Sequence, residues 1–288
     1  MNVQLHHMDR VQVALPTYPC VFNFEKNFVY SDTQAWMRDH FPNCFYYCAI
    51  YILLIFGGRY YMSNRRKFEI RGMLILWNIT LALLSIFCNF RVMPELYHVL
   101  SHDGYYHSVC IPRYLTHNPI SAFWSWIFTL MKLLEFGDTV FIVLRKQSLI
   151  FLHWYHHVTV LLYGWFSYVE TSGSSIWFGT VNAFIHSCMY CYYALRAMRY
   201  NPPKWIAMTL TTLQIAQMIL GIIITVSIYY YVQIAQLQCN VTLSNLKISA
   251  LMYISYLVLF VNYFKQTYLS DRIGKKNQFQ SVSSTKTD

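Results

Sequence analysis

The sequence predicts an all-α integral membrane protein with seven transmembrane helices, and its composition, its apolar runs and its distribution of basic residues support that fold class. Hydrophobic residues make up 56% of the 288 positions and charged residues only 12%. A soluble domain carries about 25% charged residues, so this chain has too few to cover a water-facing surface. Several runs also approach the roughly 20 apolar residues that cross a bilayer.

The apolar runs divide the chain into three regions. Residues 1–42 form an N-terminal segment outside the membrane, residues 43–270 a seven-helix membrane domain, and residues 271–288 a polar, disordered tail. The seven helices are predicted at about 43–62, 72–90, 120–144, 149–168, 175–197, 205–231 and 249–268. The third differs from the others because it contains three charged residues, Lys132, Glu135 and Asp138.

The Lys and Arg residues predict the orientation. If the N-terminus lies in the lumen, fifteen of the 22 basic residues face the cytosol, six face the lumen and Lys132 lies within the membrane. The cytosolic set is Arg59, Arg65, Arg66, Lys67, Arg71, Arg145, Lys146, Arg196, Arg199, Lys204, Lys265, Arg272, Lys275, Lys276 and Lys286, and the lumenal set is Arg10, Lys26, Arg38, Arg91, Arg113 and Lys247. This alternation follows the positive-inside rule, and six helices would break it. We therefore expect a lumenal N-terminus and a cytosolic C-terminus.

Polar side chains interrupt four consecutive predicted helices, the third to the sixth. An ionisable side chain at membrane depth is costly unless it is paired or hydrated, so each cluster is a candidate functional site. In chain order the clusters are Lys132, Glu135, Asp138 and Thr139; His153, His156 and His157; Asn182, His186, Met189, Tyr190 and Tyr193; and Thr211, Gln214 and Gln217. Spacings of three and four residues place the members of a cluster on one helical face.

Each cluster also has a structural interpretation. The charged group on the third helix is either an ion-pair network that locks this helix to its neighbours or part of a catalytic site. The tyrosines fit an aromatic packing stripe as well as a substrate site, and the Thr and Gln residues of the sixth helix are typical of interhelical hydrogen bonding. Three imidazoles on one face within a membrane are harder to explain by packing, and they favour a functional site.

The predicted topology brings the four clusters together. They lie in the cytosolic halves or near the middle of their helices, so we expect them to meet in one cavity that opens to the cytosol. Such a cavity suits a substrate with a charged head in the cytosol and an apolar tail in the membrane. Acyl-CoA has this form, and imidazole supplies nucleophilic and acid–base chemistry near neutral pH.

The clusters resemble, in the same order, four motifs of the ELO family of very-long-chain fatty acid elongases. The motifs KxxExxDT, HxxHH, HxxMYxYY and TxxQxxQ match the residues named above, with Tyr192 added to the third. Residues 144–163 are most similar to the branch that elongates saturated and monounsaturated chains of about C12 to C16. The resemblance implies a seven-helix protein of the endoplasmic reticulum whose helices enclose an acyl-chain tunnel. It also implies condensation of acyl-CoA with malonyl-CoA to 3-ketoacyl-CoA, CoA and carbon dioxide.

Condensation of this kind requires two substrates and no cofactor, and the chain has neither a GxGxxG nor a P-loop pattern. No metal is expected and no nucleic acid partner. The resemblance implies contact with membrane lipid and with the 3-ketoacyl-CoA reductase, 3-hydroxyacyl-CoA dehydratase and enoyl-CoA reductase of the elongation cycle. Many family members end in a dilysine retrieval signal, whereas Lys275 and Lys276 do not occupy that position, so retention is expected to use another signal.

We predict separate roles for the clustered residues. His156 attacks the thioester to give an acyl-enzyme, His153 and His157 orient it or move protons, and His186 is the partner base or the alternative site of attachment. Glu135 and Asp138 are predicted to orient imidazoles, with Lys132 beside them. Donors to the enolate are Asn182, Tyr190 and Gln214, and further substrate contacts are Tyr193 and Gln217. The predicted partners of the CoA phosphates are Arg145, Lys146, Arg199 and Lys204. The positive-inside rule alone also places the last four in the cytosol. A direct ternary mechanism with His156 acting only as a base is the competing hypothesis.

Three other classes of protein share some of these features. A membrane di-iron desaturase or hydroxylase also uses HxxHH, but it needs about eight histidine ligands, and the second candidate pair, His98 and His102, falls on the opposite side of the membrane. A seven-helix receptor shares the topology but not the charged cluster. A transporter can use intramembrane ionisable residues as a proton relay.

Two cysteines lie in loops that are lumenal in the predicted topology. Cys110 follows the second helix and Cys239 follows the sixth, and the lumen permits disulfides. We predict a bond between them. Asn240 begins a glycosylation sequon beside Cys239, but the predicted bond would crowd this asparagine and hinder its modification.

Overall fold

The computed structural model describes residues 15–269, and within this range the chain is helical, with no β-strand. The helices are α1 (Asn23–Lys26), α2 (Tyr30–Asp39), α3 (Asn43–Ser63), α4 (Arg71–His102), α5 (Gly104–Cys110), α6 (Arg113–Thr116), α7 (Pro119–Leu134), α8 (Phe136–Leu144), α9 (Phe151–Val169), α10 (Ser175–Ala197), α11 (Lys204–Tyr229) and α12 (Leu243–Phe264). Single π-helical segments, Tyr230–Ile234 and Lys265–Leu269, extend α11 and α12. Arg10 and the predicted tail, with Arg272, Lys275, Lys276 and Lys286, lie outside the described residues.

Four helices are long and apolar enough to cross a membrane: Asn43–Ser63, Arg71–His102, Lys204–Ile234 and Leu243–Leu269. They correspond to the predicted first, second, sixth and seventh helices. The predicted end of the second helix near residue 90 is wrong, because α4 continues to His102 through Pro94. The predicted continuous third helix is also wrong, since the chain forms α7 and α8 with Glu135 at the junction.

The loops gather at two ends of the helical bundle. At the end that we call the basic end, Lys146 donates to the carbonyl of Ser63 at 2.9 Å, and Arg71 donates to the carbonyl of Ala197 at 2.8 Å. Three interhelical loops are therefore tied together there. At the opposite end, which we call the disulfide end, backbone hydrogen bonds join the segments 103–118, 170–174 and 235–242, and α1 and α2 pack against α7 and α9.

The predicted disulfide between Cys110 and Cys239 is confirmed, with the two Cα atoms 4.4 Å apart. The backbone around it is closely packed, because Asn240 N donates to Cys110 O at 2.8 Å and Gly173 N donates to Asn240 O at 3.1 Å. A Cβ at position 173 would lie 2.6 Å from the carbonyl carbon of Cys110, so glycine is required there. The Asn240 side-chain amide donates one of its hydrogens to the carbonyl of Thr171 at 2.5 Å, which holds this side chain against the neighbouring loop.

A buried ion pair anchors the N-terminal segment to the bundle. The carboxylate of Glu25, in the first turn of α1, pairs with Arg91 of α4 and accepts a hydrogen bond of 2.6 Å from Trp124 Nε1. Burial alone would raise the pKa of Glu25, but the hydrogen bonds from Arg91 and Trp124 lower it below its ordinary value. The N-terminal segment is thus fixed against α4 and α7.

Candidate active site

The histidine box lies in the first two turns of α9, which starts at the basic end. Spacings of three and four residues bring the rings of His153 and His157 within 4.5 Å and those of His156 and His157 within 5.6 Å, measured between ring centroids. His157 is buried, and its Nδ1 has no hydrogen-bond partner among the described residues. The three imidazoles therefore form a compact group, as their spacing predicts.

His153 is held by a hydroxyl from the neighbouring helix. Its Nε2 lies 2.9 Å from Thr139 Oγ1 of α8, and the Thr139 hydroxyl in turn lies 2.7 Å from Tyr51 Oη of α3. The ring of Tyr51 stacks on Phe136 at 4.1 Å, which fixes the position of its hydroxyl. Tyr51 was not predicted as a site residue, because nothing in the sequence distinguishes it from the other tyrosines of α3.

A second group connects α7, α10 and the junction at Glu135. Lys132 Nζ donates to Glu135 Oε1 at 2.8 Å and to Asn182 Oδ1 at 2.9 Å. His186 Nδ1 lies 3.2 Å from the same Glu135 oxygen. All four side chains are buried, and Glu135 is completely so. The junction between α7 and α8 thus places one carboxylate between an ammonium and an imidazole.

Asp138 does not contact an imidazole, so the prediction that it orients one directly is wrong. Its two oxygens accept hydrogen bonds from Trp77 Nε1 at 2.6 Å and from Tyr190 Oη at 2.7 Å. The ring of Tyr190 lies 5.6 Å from that of His186. Asp138 is therefore connected to His186 through Tyr190 and not by a direct contact. Trp77 comes from α4, and no charged residue or motif beside it in the sequence marks it as a partner.

A cavity of about 100 Å³ extends through the bundle from these groups towards the disulfide end. His156, Lys132, Asn182 and Gln217 line its wall, together with Tyr256, whose ring lies 5.0 Å from that of His156. Its far end is lined by side chains of α6, α9 and α10, namely Tyr114, Ser167, Tyr168, Ser175 and Ile176. Of the four histidines predicted as site residues, His156 alone lines this cavity.

Some predicted substrate contacts lie elsewhere. Gln214 donates to the sulfur of Met189 at 3.5 Å, and Tyr193 is 45% exposed and packs against Tyr190, so neither lines the cavity. The four predicted CoA-binding residues, Arg145, Lys146, Arg199 and Lys204, all lie at the basic end. Lys146 already donates to the carbonyls of Ser63 and Arg65, at 2.9 and 3.1 Å. These bonds cap the C-terminal end of α3, which gives Lys146 a structural role of its own.

Residues 15–269 contain no group of three or more His, Cys, Asp or Glu side chains arranged to hold a metal ion. The imidazoles of the site instead face hydroxyls, a carboxylate and one another. This arrangement of side chains can support nucleophilic attack and proton transfer on a substrate within the cavity.

Comparison with known proteins decides the family. The model of the ELO family, described as the GNS1/SUR4 family, matches residues 36–276. The chain belongs to the ELO family. ELO membership makes the chain a membrane acyltransferase of fatty acid elongation, and it removes the di-iron enzyme, the receptor and the transporter from consideration.

Named ELO relatives cover most of the chain. It is 50% identical to very long chain fatty acid elongase 6 of Drosophila melanogaster over 269 residues, which is 93% of this chain and 85% of that protein. It is 43% identical to human very long chain fatty acid elongase 6, over 86% of this chain and 92% of the relative. Human elongase 3 is 38% identical over 90% of this chain and 94% of its own length.

Proposed function

We propose that this ELO protein joins a long-chain saturated or monounsaturated acyl-CoA to malonyl-CoA through a covalent acyl-histidine at His156. The observation that carries the proposal is that His156 lines the cavity, while His153, His157 and His186 lie behind its wall. A nucleophile must reach the thioester carbonyl, and among the predicted histidines within residues 15–269 only His156 has that access. The names of the elongase 6 relatives support the substrate class.

The first half-reaction transfers the acyl group. The lone pair on His156 attacks the thioester carbonyl, the carbon–sulfur bond breaks, and CoA leaves as a thiolate that takes up the proton lost by the acylated imidazole. His157, whose ring is 5.6 Å away, is placed to move that proton. The acyl chain then extends along the cavity towards Tyr114 and Ile176.

The second half-reaction consumes malonyl-CoA. Loss of carbon dioxide leaves an enolate, whose carbon attacks the acyl carbonyl on His156. The carbon–nitrogen bond breaks, 3-ketoacyl-CoA leaves, and the departing imidazolate takes up one proton from solvent to regenerate neutral His156. Lys132, Asn182 and Gln217 offer donors in the cavity wall to the enolate oxygen. Because Asn182 Oδ1 accepts from Lys132, its amide nitrogen is left to donate towards the cavity.

The supporting groups hold these donors in place. Glu135 pairs with Lys132, and its Oε1 lies 3.2 Å from Nδ1 of His186, so the Nε2 of His186 is the nitrogen proposed to act as the partner base. Arg145, Arg199 and Lys204 at the basic end are proposed to pair with the CoA phosphates. No cofactor takes part.

We also propose the seven-helix topology in the endoplasmic reticulum membrane, with a lumenal N-terminus and a cytosolic basic end. The three predicted spans beyond the four apolar ones carry three of the four polar clusters, including all of the charged and imidazole side chains of the site. Glu135 additionally divides one of them into α7 and α8. The product, a 3-ketoacyl-CoA, must be reduced, dehydrated and reduced again, so the reductase, dehydratase and enoyl reductase of the cycle are the proposed partners.

The condensing activity is tested with the purified chain, malonyl-CoA and a panel of acyl-CoAs that differ in length and unsaturation. Mass analysis is expected to show 3-ketoacyl-CoA products two carbons longer than the substrate, with one CoA and one carbon dioxide released for each. The absence of a product for every acyl-CoA would overturn the proposed function.

The proposed orientation predicts which loops react with membrane-impermeant thiol reagents. Single cysteines introduced at the exposed positions Arg66 and Lys67 are expected to label from the cytosolic side of sealed microsomes. Cysteines at Lys26 and Asp32 in the N-terminal segment should label only after the membrane is permeabilised. Labelling of residues 66 and 67 from the lumen would contradict this topology.

A further inference from the structure

Helix α2, which lies outside the apolar spans, binds the last turn of α9 through three neighbouring side chains. Tyr30 Oη donates to the carbonyl of Tyr168 at 2.8 Å, and Thr33 Oγ1 lies 2.8 Å from Tyr168 Oη. Gln34 Nε2 donates to the carbonyl of Val169 at 2.8 Å. The rings of Tyr30 and Tyr168 also meet edge to face, with centroids 5.2 Å apart. Both the backbone and the side chain of Tyr168 are therefore held by α2.

Tyr168 forms part of the far wall of the active-site cavity. Its side chain is buried and lines the cavity with Tyr114 and Ile176 at the disulfide end. His156 lines the same cavity from the same helix, twelve residues earlier, which corresponds to about 18 Å along the axis. An acyl chain attached to His156 and extended through the cavity would therefore meet Tyr168.

The hydrogen bond between Tyr168 and Thr33 has a defined direction. The single hydroxyl hydrogen of Thr33 is donated to the carbonyl of Tyr30 at 2.9 Å, so the Tyr168 hydroxyl is the donor to Thr33. Burial raises the pKa of Tyr30 to about 12, so its hydroxyl remains a donor to the Tyr168 carbonyl throughout the physiological range. Tyr168 is thus held by α2 at both its hydroxyl and its backbone carbonyl.

We propose that α2 sets the longest acyl chain that the enzyme accepts, with Tyr168 as the specificity-determining residue and Thr33 and Tyr30 as the residues that position it. This proposal rests on the proposed function, because it assumes that the chain attached to His156 occupies the cavity. Removal of the Thr33 hydroxyl deletes the hydrogen bond that fixes the Tyr168 hydroxyl. The Tyr168 ring can then move, so that the cavity accepts a longer acyl chain.

The docking of α2 does not depend on Thr33. Trp165 Nε1 donates to the carbonyl of Met37 at 2.6 Å, Met37 is completely buried, and Gln34 bonds to the end of α9 independently. A change confined to the Thr33 hydroxyl therefore leaves the helix in place. This separates an effect on the wall of the cavity from an effect on folding.

The test compares Thr33→Val with Thr33→Ser in the full-length purified chain, assayed against acyl-CoAs of increasing length with malonyl-CoA. Valine keeps the shape of threonine and loses the hydroxyl, whereas serine keeps the hydroxyl. Tyr168→Phe removes the other half of the same hydrogen bond. Ser31→Ala, which removes an exposed hydroxyl of α2 that contacts the adjacent Asp32, is the matched control.

In T33V and Y168F, kcat/KM for the next longer acyl-CoA relative to the preferred one is expected to rise about threefold or more, the size of effect that one hydrogen bond supports. The double variant should show no further rise, since both changes remove one interaction. T33S and S31A should keep the original profile. Active T33V and Y168F enzymes with an unaltered profile would overturn the role of α2 alone, whereas a wild-type chain without condensing activity would overturn the proposed function and this inference together.

Discussion

Replacing His156 by alanine is expected to abolish both the acyl-enzyme and the condensing activity. Wild-type enzyme mixed with acyl-CoA alone should release about one CoA per active site and retain an acyl mass on the peptide that contains His156, since the first half-reaction needs no malonyl-CoA. H156A should show neither signal. Its kcat should fall by at least about a thousandfold, because loss of a nucleophile removes the covalent route entirely.

The control for this experiment is His117→Ala, which removes an exposed histidine at the disulfide end, outside the cavity. H117A should release CoA as the wild type does, and both variants should elute as folded protein in gel filtration. Release of CoA only after malonyl-CoA is added would contradict the acyl-histidine and favour the ternary mechanism. Ping-pong kinetics are expected only for the covalent route.

The sequence was sufficient to predict the convergence of residues that are far apart in the chain. Helical spacing and the alternation of basic loops predicted that the four clusters meet in one cavity, and one member of each cluster, Lys132, His156, Asn182 and Gln217, lines it. The same topology put Cys110 and Cys239 at one end, where the structure joins them. These predictions succeeded because the helical period follows from the local sequence, and the topology follows from the distribution of basic residues relative to the membrane.

The partners of these residues were not predictable in the same way. Trp77, Tyr51 and Tyr256 contact the site from apolar helices, and nothing nearby in sequence distinguishes them from aromatic packing residues. The junction at Glu135 was not predicted because the residues around it continue the helical pattern. The N-terminal segment was predicted only as a region, because its contacts with α9 join residues more than a hundred positions apart.

The structure leaves two interpretations of the buried ion pair between Lys132 and Glu135, and a second ion pair in the same chain can separate them. Glu135 pairs with Lys132 in the wall of the cavity, whereas Glu25 pairs with Arg91 at the disulfide end. Both carboxylates are completely buried. If the pair at Glu135 only locks helices together, neutralising either glutamate should have the same consequences.

We expect Glu135→Gln and Glu25→Gln to destabilise the protein alike and to differ in catalysis. Each leaves a buried cation without its carboxylate, which costs about 3–5 kcal/mol in the free energy of unfolding. Only E135Q removes the group that fixes His186 and Lys132, so turnover per folded molecule should fall by about tenfold to a hundredfold, as it does when supporting groups of other sites are removed. In E25Q, turnover per folded molecule should equal that of the wild type.

Thermal unfolding in detergent, the folded fraction from gel filtration and kcat per folded molecule together provide the measurement. The double variant Lys132→Met with Glu135→Gln removes both buried charges, so it should recover most of the stability lost in E135Q and none of the turnover. Wild-type turnover in folded E135Q would show that the ion pair serves the helix packing alone. Recovery of stability without recovery of turnover would instead show that Lys132 and Glu135 contribute to catalysis at the cavity wall. In that variant the helix packing is restored, but the fixed donor and the oriented imidazole are not.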